Sequence, residues 1–133
     1  MKNVFITGGA GYIGSHCTVS LINNGYTPII IDNFSNSHKS VIKKLEIITN
    51  KKIKVYSLDV RDKKKLRLIF KKHPCHCVIH CAGFKSVQES VKKPLSYFEN
   101  NIGSTISLLE TMEEHKVFKL IFSSSAIVYD NNQ

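Results

Sequence analysis

The chain reads as a doubly wound α/β sheet with five parallel strands in the order 3-2-1-4-5. Three observations predict this. Short apolar runs alternate with longer amphipathic ones along the whole length, which is the pattern of parallel strands joined by right-handed helical crossovers. One run, Pro28–Asp32 ("PIIID"), is continuously apolar, as a strand covered on both faces must be. A glycine-rich turn, "TGGAGYIG", stands between the first such run and the first amphipathic one.

Taken in order, "NVFIT" (Asn3–Thr7) is predicted as the first strand. Tyr12–Asn24 follows as a helix, with Ile13, Cys17 and Leu21 four apart and Gly25 as the stop. Pro28–Asp32 is the second strand. Ser40 to Thr49 carries Val41, Ile42, Leu45 and Ile48 on one helical face, and "IKVYSLD" (Ile53–Asp59) reads as the third strand. Lys63–Lys72, with Leu66, Ile69 and Phe70, is a short helix closed by Pro74. "CVIHCAG" (Cys77–Gly83) supplies the fourth strand. Pro94 suits a first helical turn, and Leu95, Phe98, Ile102, Ile106, Leu109 and Met112 keep helical spacing to about His115. "FKLIFSS" (Phe118–Ser124) is the fifth strand.

Composition narrows the function classes. With 133 residues, 42% hydrophobic and 22% charged, the chain has the material for one domain core and not two. No apolar run has the length to cross a bilayer, and the apolar run at the N-terminus is broken at once by Gly8, Gly9 and Gly11, so a cytoplasmic protein without membrane contact is expected. Lys and Arg outnumber Asp and Glu by 19 to 10, a net charge of +9. The lysines come as scattered pairs and one triple (Lys63–Lys65) on helix faces and ends, with no aromatic residues between them to stack bases. Solvated helix faces explain them, and nucleic acid is not expected as a partner. Three of the four cysteines crowd into "HPCHCVIHCAG" beside His73, His76 and His80. On a strand, Cys75, Cys77 and Cys81 face one way and His76 and His80 the other, so no tetrahedral metal set converges. Buried free thiols in a reducing compartment are expected instead.

The loops carry the chemistry. Gly8, Gly11 and Gly14 fit a G-x-x-G-x-x-G spacing, and Gly9, Gly11 and Gly14 fit G-x-G-x-x-G. Such a turn makes a tight bend, lets backbone approach a pyrophosphate and lets helix pack on strand, while the helix start offers free N–H groups and the positive dipole end. Asp32 ends the second strand, where a carboxylate accepts hydrogen bonds from the adenosine ribose of NAD and repels the 2′-phosphate of NADP. Asp32 also suits a capping role in the turn at Asn33. Asp59, Gly83 with Lys85, and Ser123–Ser125 stand at the carboxyl ends of the third, fourth and fifth strands, the edge where such sheets bind ligands.

"TGGAGYIGSH", "IDNFSNS", "LDV", "VIHCAGFKSVQESVKKPLSYFENN" and "LIFSSSAIVYDN" together resemble the UDP-glucose 4-epimerase (UDP-galactose 4-epimerase) family, extended short-chain dehydrogenases/reductases with a Rossmann-like sheet. The resemblance runs from the first strand to Gln133. The glycine turn is shared by all extended members, whereas "DNFSNS" and "AGFKSVQESVKKPLSYF" are specific to the 4-epimerases. The resemblance implies that Tyr12 and Ile13 give N–H groups to the pyrophosphate and that Asp32, Asn33, Asn36 and Ser37 surround the adenosine ribose. It implies that Asp59 and Val60 meet the adenine edge. Cys81, Ala82, Gly83 and Lys85 would pass along the middle and nicotinamide side, with Asn100 contacting the cofactor from the long helix. Lys85 and Ser125 would also meet the UDP-hexose, Ser125 sharing the proton of the reacting hydroxyl. The family dimerises through the long helix, so a homodimeric parent is implied. Departures are Cys81 for the usual Phe, Gln88 for Gly, Gly103-Ser104 for Asn-Gly, Ile127 for Thr and Asp130 for Gly.

The family's base is the tyrosine of a Tyr-x-x-x-Lys segment. Tyr12, Tyr26, Tyr56, Tyr97 and Tyr129 are followed four places on by His16, Ile30, Val60, Asn101 and Gln133, none a lysine. The expectation is therefore that Tyr129 is the family's structural tyrosine and that the chain is the cofactor half of an epimerase, inactive alone, without the catalytic tyrosine or the substrate domain. Another extended nucleotide-sugar enzyme (a dehydratase or decarboxylase) and a non-catalytic NAD-binding module remain as alternatives.

Overall fold

The computed structural model describes residues 2–125. Five parallel strands form one sheet: β1 (Asn3–Thr7), β2 (Thr27–Asp32), β3 (Lys54–Ser57), β4 (Cys75–His80) and β5 (Leu120–Phe122), in the order β3-β2-β1-β4-β5. Helices α1 (Tyr12–Asn23), α2 (Ser40–Thr49) and α3 (Lys63–Lys72) make the first crossovers. This is the doubly wound order expected from the alternating pattern. The strand order reverses between β1 and β4, and a crevice opens there because the loops on either side leave for opposite faces of the sheet.

The central strands are buried on both faces, as β2 predicted: Phe5, Ile6, Ile29, Ile30 and Ile31 have almost no exposed surface. Phe5, Ile29, Ile31 and Val78 meet Leu66, Ile69 and Phe70 of α3 on one side. On the other, Ile30 packs with Ile22 and Leu45, and Val4, Ile6 and Ile79 pack with Cys17 and Leu21. Two helical faces differ from expectation at their edges. Ile13 and Ile48 are exposed, and α1 instead buries Gly14, Thr18 and Ile22. Thr18 fits because its hydroxyl donates to the Gly14 carbonyl, so the polar group is satisfied inside the helix.

The predicted alternation through the cysteines is corrected by a register shift. Asn3 pairs with Cys75 but Val4 pairs with Cys77, so an extra residue bulges at His76. Cys75 therefore packs with Val78 on the α3 side, while Cys77 and Cys81 lie against Val4, Ile6 and Ile79 on the α1 side. Burial pushes the Cys75 thiol up to about 12. Burial, and then the neighbouring Cys17 thiol, pushes Cys81 to about 11. Both stay protonated and unreactive at neutral pH.

The long helix expected from Pro94 to about His115 is present and carries a π turn. A separate helix, α4 (Val87–Lys92), precedes it, with the Ser86 side chain accepting from the Glu89 N–H as an N-cap. α5 (Pro94–Tyr97) runs through a π turn (Phe98–Ile102) into α6 (Gly103–Glu114). α6 turns Ser104, Ser107, Leu108, Thr111 and Met112 to the core, where the small hydroxylated residues let the helix lie close: Ser107 donates to the Val60 carbonyl at 3.0 Å. Leu95, Phe98, Ile102, Ile106 and Leu109 face outward. Arg67 grips Glu114 with two hydrogen bonds of 2.6 Å, and Lys63 pairs with Glu110, tying α6 to α3. Among the described residues β5 lies at the edge of the sheet, with Ile121 and Phe122 exposed.

His80, at the end of β4, is buried and hydrogen-bonded to Thr7 through Nδ1 and to Thr105 through Nε2. Burial pulls its pKa from 6.5 to about 4. The unfolded chain then binds more protons than the folded one between these values, so stability is full above 6.5 and falls as pH drops toward 4. His73, lowered by burial, adds in the same direction. Urea unfolding at pH 7 and pH 5 is expected to show this loss, with a shallower fall in His80→Asn. An unaltered slope in that variant removes His80 as a source.

Candidate functional site

At the carboxyl ends of β1–β4 the loops enclose an open cleft of about 870 Å³, including the space at its mouth. Its floor is the glycine turn. Gly8 follows β1 with φ of +67°, a conformation that strains any side-chain-bearing residue. A Cβ there would stand 2.7 Å from the Ala82 backbone nitrogen, and one on Gly14 would stand 2.3 Å from the Gly8 carbonyl oxygen. The turn is therefore bare because β4 and α1 close upon it. Gly11 opens α1 with no side-chain cap, so the first N–H groups of the helix, at Tyr12 and Ile13, are left for a ligand. The Tyr12 and Ile13 side chains are exposed at the rim.

One end of the cleft is built on β2 and β3. Asp32 is buried and works as a hub: one carboxylate oxygen accepts from the Ala10 N–H (2.9 Å), the other from the Phe34 N–H (2.8 Å) and the Ser37 hydroxyl (3.0 Å). It therefore fixes the glycine turn and its own loop together. The capping role read for Asp32 is seen in the Phe34 contact, and of the roughly four acceptor positions on an ionised carboxylate three are taken. Asn33, Ser35, Asn36 and Ser37 form the wall beyond it.

Asp59 lines the same end, but its carboxylate is already engaged. Oδ1 accepts from the Arg61 N–H and Nε, and Oδ2 from Arg61 Nη2 and the Asn33 amide. The Arg61 side chain, foremost, holds the Asp59 carboxyl down at about 2. Asp59 thus braces the β2 and β3 loops, and Arg61, which also approaches Glu99 at 3.5 Å, was not singled out by the sequence reading. An Asp-x-Arg pair after a strand is the signal that was available. Leu58 and Val60 supply apolar surface there.

The other end is built on β4 and the π turn. Cys81, Ala82, Gly83, Phe84 and Lys85 run along it, facing Asn100 and the buried Ser104. Ala82 donates weakly to Thr7 Oγ1 at 3.4 Å. Phe84 rests against Tyr97, ring centroids 5.3 Å apart. All sixteen cleft residues singled out from the sequence border this one space, because loops following parallel strands share one edge of the sheet. Ser125 lies beyond β5, exposed and outside the cleft lining. Ile127, Tyr129 and Asp130 lie outside the described residues.

The site fits a dinucleotide. It has a bare backbone turn and an uncapped helix start for a pyrophosphate, a buried carboxylate at the end of the second strand, and a second wall across the point where strand order reverses. Among the described residues no group of three or more His, Cys, Asp and Glu side chains could hold a metal ion, and no helix is long and apolar enough to cross a membrane.

Comparison with known proteins places this geometry. The NAD dependent epimerase/dehydratase family matches residues 4–133. The chain is 52% identical over 126 residues to the UDP-glucose 4-epimerase of Dictyostelium discoideum, covering 95% of this chain and 37% of that protein. It is 51% identical to the bifunctional protein gal10 of Schizosaccharomyces pombe, of which it covers 18%. The crystal structure of UDP-glucose 4-epimerase from Bifidobacterium longum, in complex with NAD+ and UDP, superposes with a TM-score of 0.94 at 46% identity, over 96% of this chain and 38% of that one. The chain thus spans about a fifth to two fifths of the curated relatives it matches. On sequence and on geometry alike, the chain belongs to the NAD dependent epimerase/dehydratase family.

Proposed function

We propose that the chain is the NAD-binding part of a UDP-glucose/UDP-galactose 4-epimerase, an isomerase of galactose metabolism acting in the cytoplasm. The observation that carries the reading is the uncapped start of α1 behind the Gly8–Gly14 turn, facing Asp32 across one cleft. Relatives at 51–52% identity are UDP-glucose 4-epimerases, and solved neighbours hold NAD with UDP or a UDP-sugar.

In this reading each end of the cleft has a task. Backbone N–H groups at Tyr12 and Ile13, with the positive end of the α1 dipole, neutralise a pyrophosphate without a counter-ion. Asp32, steadied by the Ser37 hydroxyl and flanked in its loop by Asn36, accepts from an adenosine ribose hydroxyl, while Asn33, Asp59 and Val60 border the adenine. Gly8, Gly11 and Gly14 keep the floor low. Cys81, Ala82, Gly83, Lys85 and Asn100 line the nicotinamide half. Bound NAD supplies a hydride acceptor that returns the hydride, which allows carbon 4 of a UDP-hexose to be inverted with no net oxidation. Lys85 and Ser125 face the sugar, and the Ser125 hydroxyl shares its proton. A serine hydroxyl is too weak a base alone, so a tyrosine with a lysine four places on completes the reaction.

Calorimetric titration of this chain with NAD and NADP tests the proposal. NAD is expected to bind and to bind more tightly. Absence of NAD binding, or a preference for NADP, overturns it.

We also propose that the whole protein is a homodimer. The support is the outward apolar stripe of Leu95, Phe98, Ile102, Ile106 and Leu109, with Leu95 80% and Phe98 60% exposed, since contiguous exposed apolar surface marks interaction sites. Light scattering of this chain is expected to show self-association that rises with concentration and falls in Phe98→Glu. A monomer at all concentrations counts against the stripe as an interface.

A further inference from the structure

We propose that Asn101 is a positioning residue whose amide clamps the Phe84 backbone and so sets where Gly83 and Lys85 stand in the nicotinamide half of the cleft; this rests on the NAD reading above. The segment after β4 has no regular structure, so the backbone groups of Phe84 have neither strand nor helix partners. Asn101 provides both. The Phe84 N–H donates to Asn101 Oδ1 at 2.7 Å, and Asn101 Nδ2 donates to the Phe84 carbonyl at 2.9 Å. A side-chain amide here does what a neighbouring strand does in a sheet, although the residues are 17 apart in sequence.

The π turn makes the clamp available. Residues Phe98–Ile102 depart from α-helical hydrogen bonding where Asn100 lines the cleft and Asn101 reaches Phe84. Asn100 lines the cleft and donates to Asn101 Oδ1 at 3.0 Å, which leaves Asn101 Nδ2 free to point at Phe84. The Asn101 carbonyl accepts from Thr105 Oγ1 at 2.7 Å, and Thr105 meets the buried His80. Through His80 the line reaches Thr7, which also takes the Ala82 N–H. The loop is thus held at Ala82 from β1 and at Phe84 from the π turn. Gly83 lies between, and a Cβ on it would come 3.3 Å from Asn101 Oδ1. Lys85, the next residue after the clamp, owes its place on the wall to it.

Topology makes the effect separable. Asp32 and Asp59 stand on the β2–β3 side of the glycine turn and the clamp on the β4 side, so ADP occupies only the half that Asn101 does not touch. The experiment titrates this chain, Asn101→Ala and Asn101→Asp with NAD and with ADP, and follows amide hydrogen exchange at Phe84. Asn101→Ala loses both hydrogen bonds and Asn101→Asp the one to the Phe84 carbonyl, and each variant is expected to weaken NAD about tenfold while ADP stays within about twofold. The Phe84 amide is expected to exchange faster in Asn101→Ala, where its N–H loses its acceptor, and to stay protected in Asn101→Asp, where a carboxylate oxygen still accepts it. Asn101→Asp is nearly isosteric, so it carries the test if Asn101→Ala does not fold. Unchanged NAD affinity in the variants overturns the inference and leaves the proposed function standing. Equal losses for NAD and ADP, or unfolding of both variants, make Asn101 a structural residue only and overturn it too. An unaltered chain that binds neither nucleotide refutes the proposed function, and the inference with it.

Discussion

Gly14→Ala is expected to abolish measurable NAD binding and to destabilise the fold. The added Cβ would lie 2.3 Å from the Gly8 carbonyl oxygen, 2.7 Å from Gly9 Cα and 2.9 Å from the Gly8 carbonyl carbon. All three are backbone atoms of the turn, so no side chain can swing aside. Either α1 withdraws from the turn or the turn opens. Gly11 donates to that same Gly8 carbonyl at 3.0 Å, so the bend itself is disturbed. Overpacking of this kind costs about 1–3 kcal/mol, and the upper end applies where only backbone can yield. The ligand loses more, because the helix start and the turn together form the pyrophosphate site, and a weakening of about a hundredfold or more is expected. Gly25→Ala is the control. Gly25 also has positive φ, +78°, but nothing lies within 4 Å of its Cβ position and it is remote from the cleft. It is expected to lose about 1 kcal/mol from strain alone and to keep its NAD affinity. Calorimetry and urea unfolding on both variants decide the matter. Gly14→Ala binding NAD as well as Gly25→Ala would sink the assignment of the turn.

Asp32→Ala is expected to remove both the preference for NAD and a large part of the stability. The carboxylate accepts three hydrogen bonds, and its loss leaves the buried Ala10 N–H without a partner, a penalty of about 1–3 kcal/mol. The tie between the glycine turn and the loop at Phe34 and Ser37 goes with it. For the ligand the effect is one of sign. A ribose 2′-hydroxyl donates to a carboxylate, whereas a 2′-phosphate is repelled by it. The unaltered chain is expected to favour NAD over NADP at least about tenfold, and the alanine variant to lose that preference. Asp32→Asn separates the parts, since it keeps size and loses charge. It is expected to retain more stability than alanine yet also to lose discrimination. A variant that keeps the full preference for NAD shows that discrimination lies elsewhere in the loop.

The sequence by itself determined the sheet, its order and the edge on which the cleft opens. Those features rest on local patterns: a continuous apolar run at Pro28–Asp32, a glycine turn that no other residue type can make, and helix stripes at Leu66, Ile69 and Phe70. Parallel connection then leaves little choice of topology. Tertiary structure alone decided what those patterns leave degenerate. One extra residue at His76 moves Cys75 to the opposite face from Cys77, because a strand's facing depends on its partner's register and not on its own spacing. The apolar stripe of the long helix shows helical spacing in the sequence, but packing decided the inner face, which Ser104, Ser107, Leu108, Thr111 and Met112 took with the Ser107 and Thr111 hydroxyls satisfied by carbonyls. Asp59 is spoken for by Arg61, and Asn101 is committed to Phe84, through contacts that no spacing rule encodes. Periodicity can say which residues share a face. What covers that face, and which polar group claims which partner, is settled only when distant segments meet.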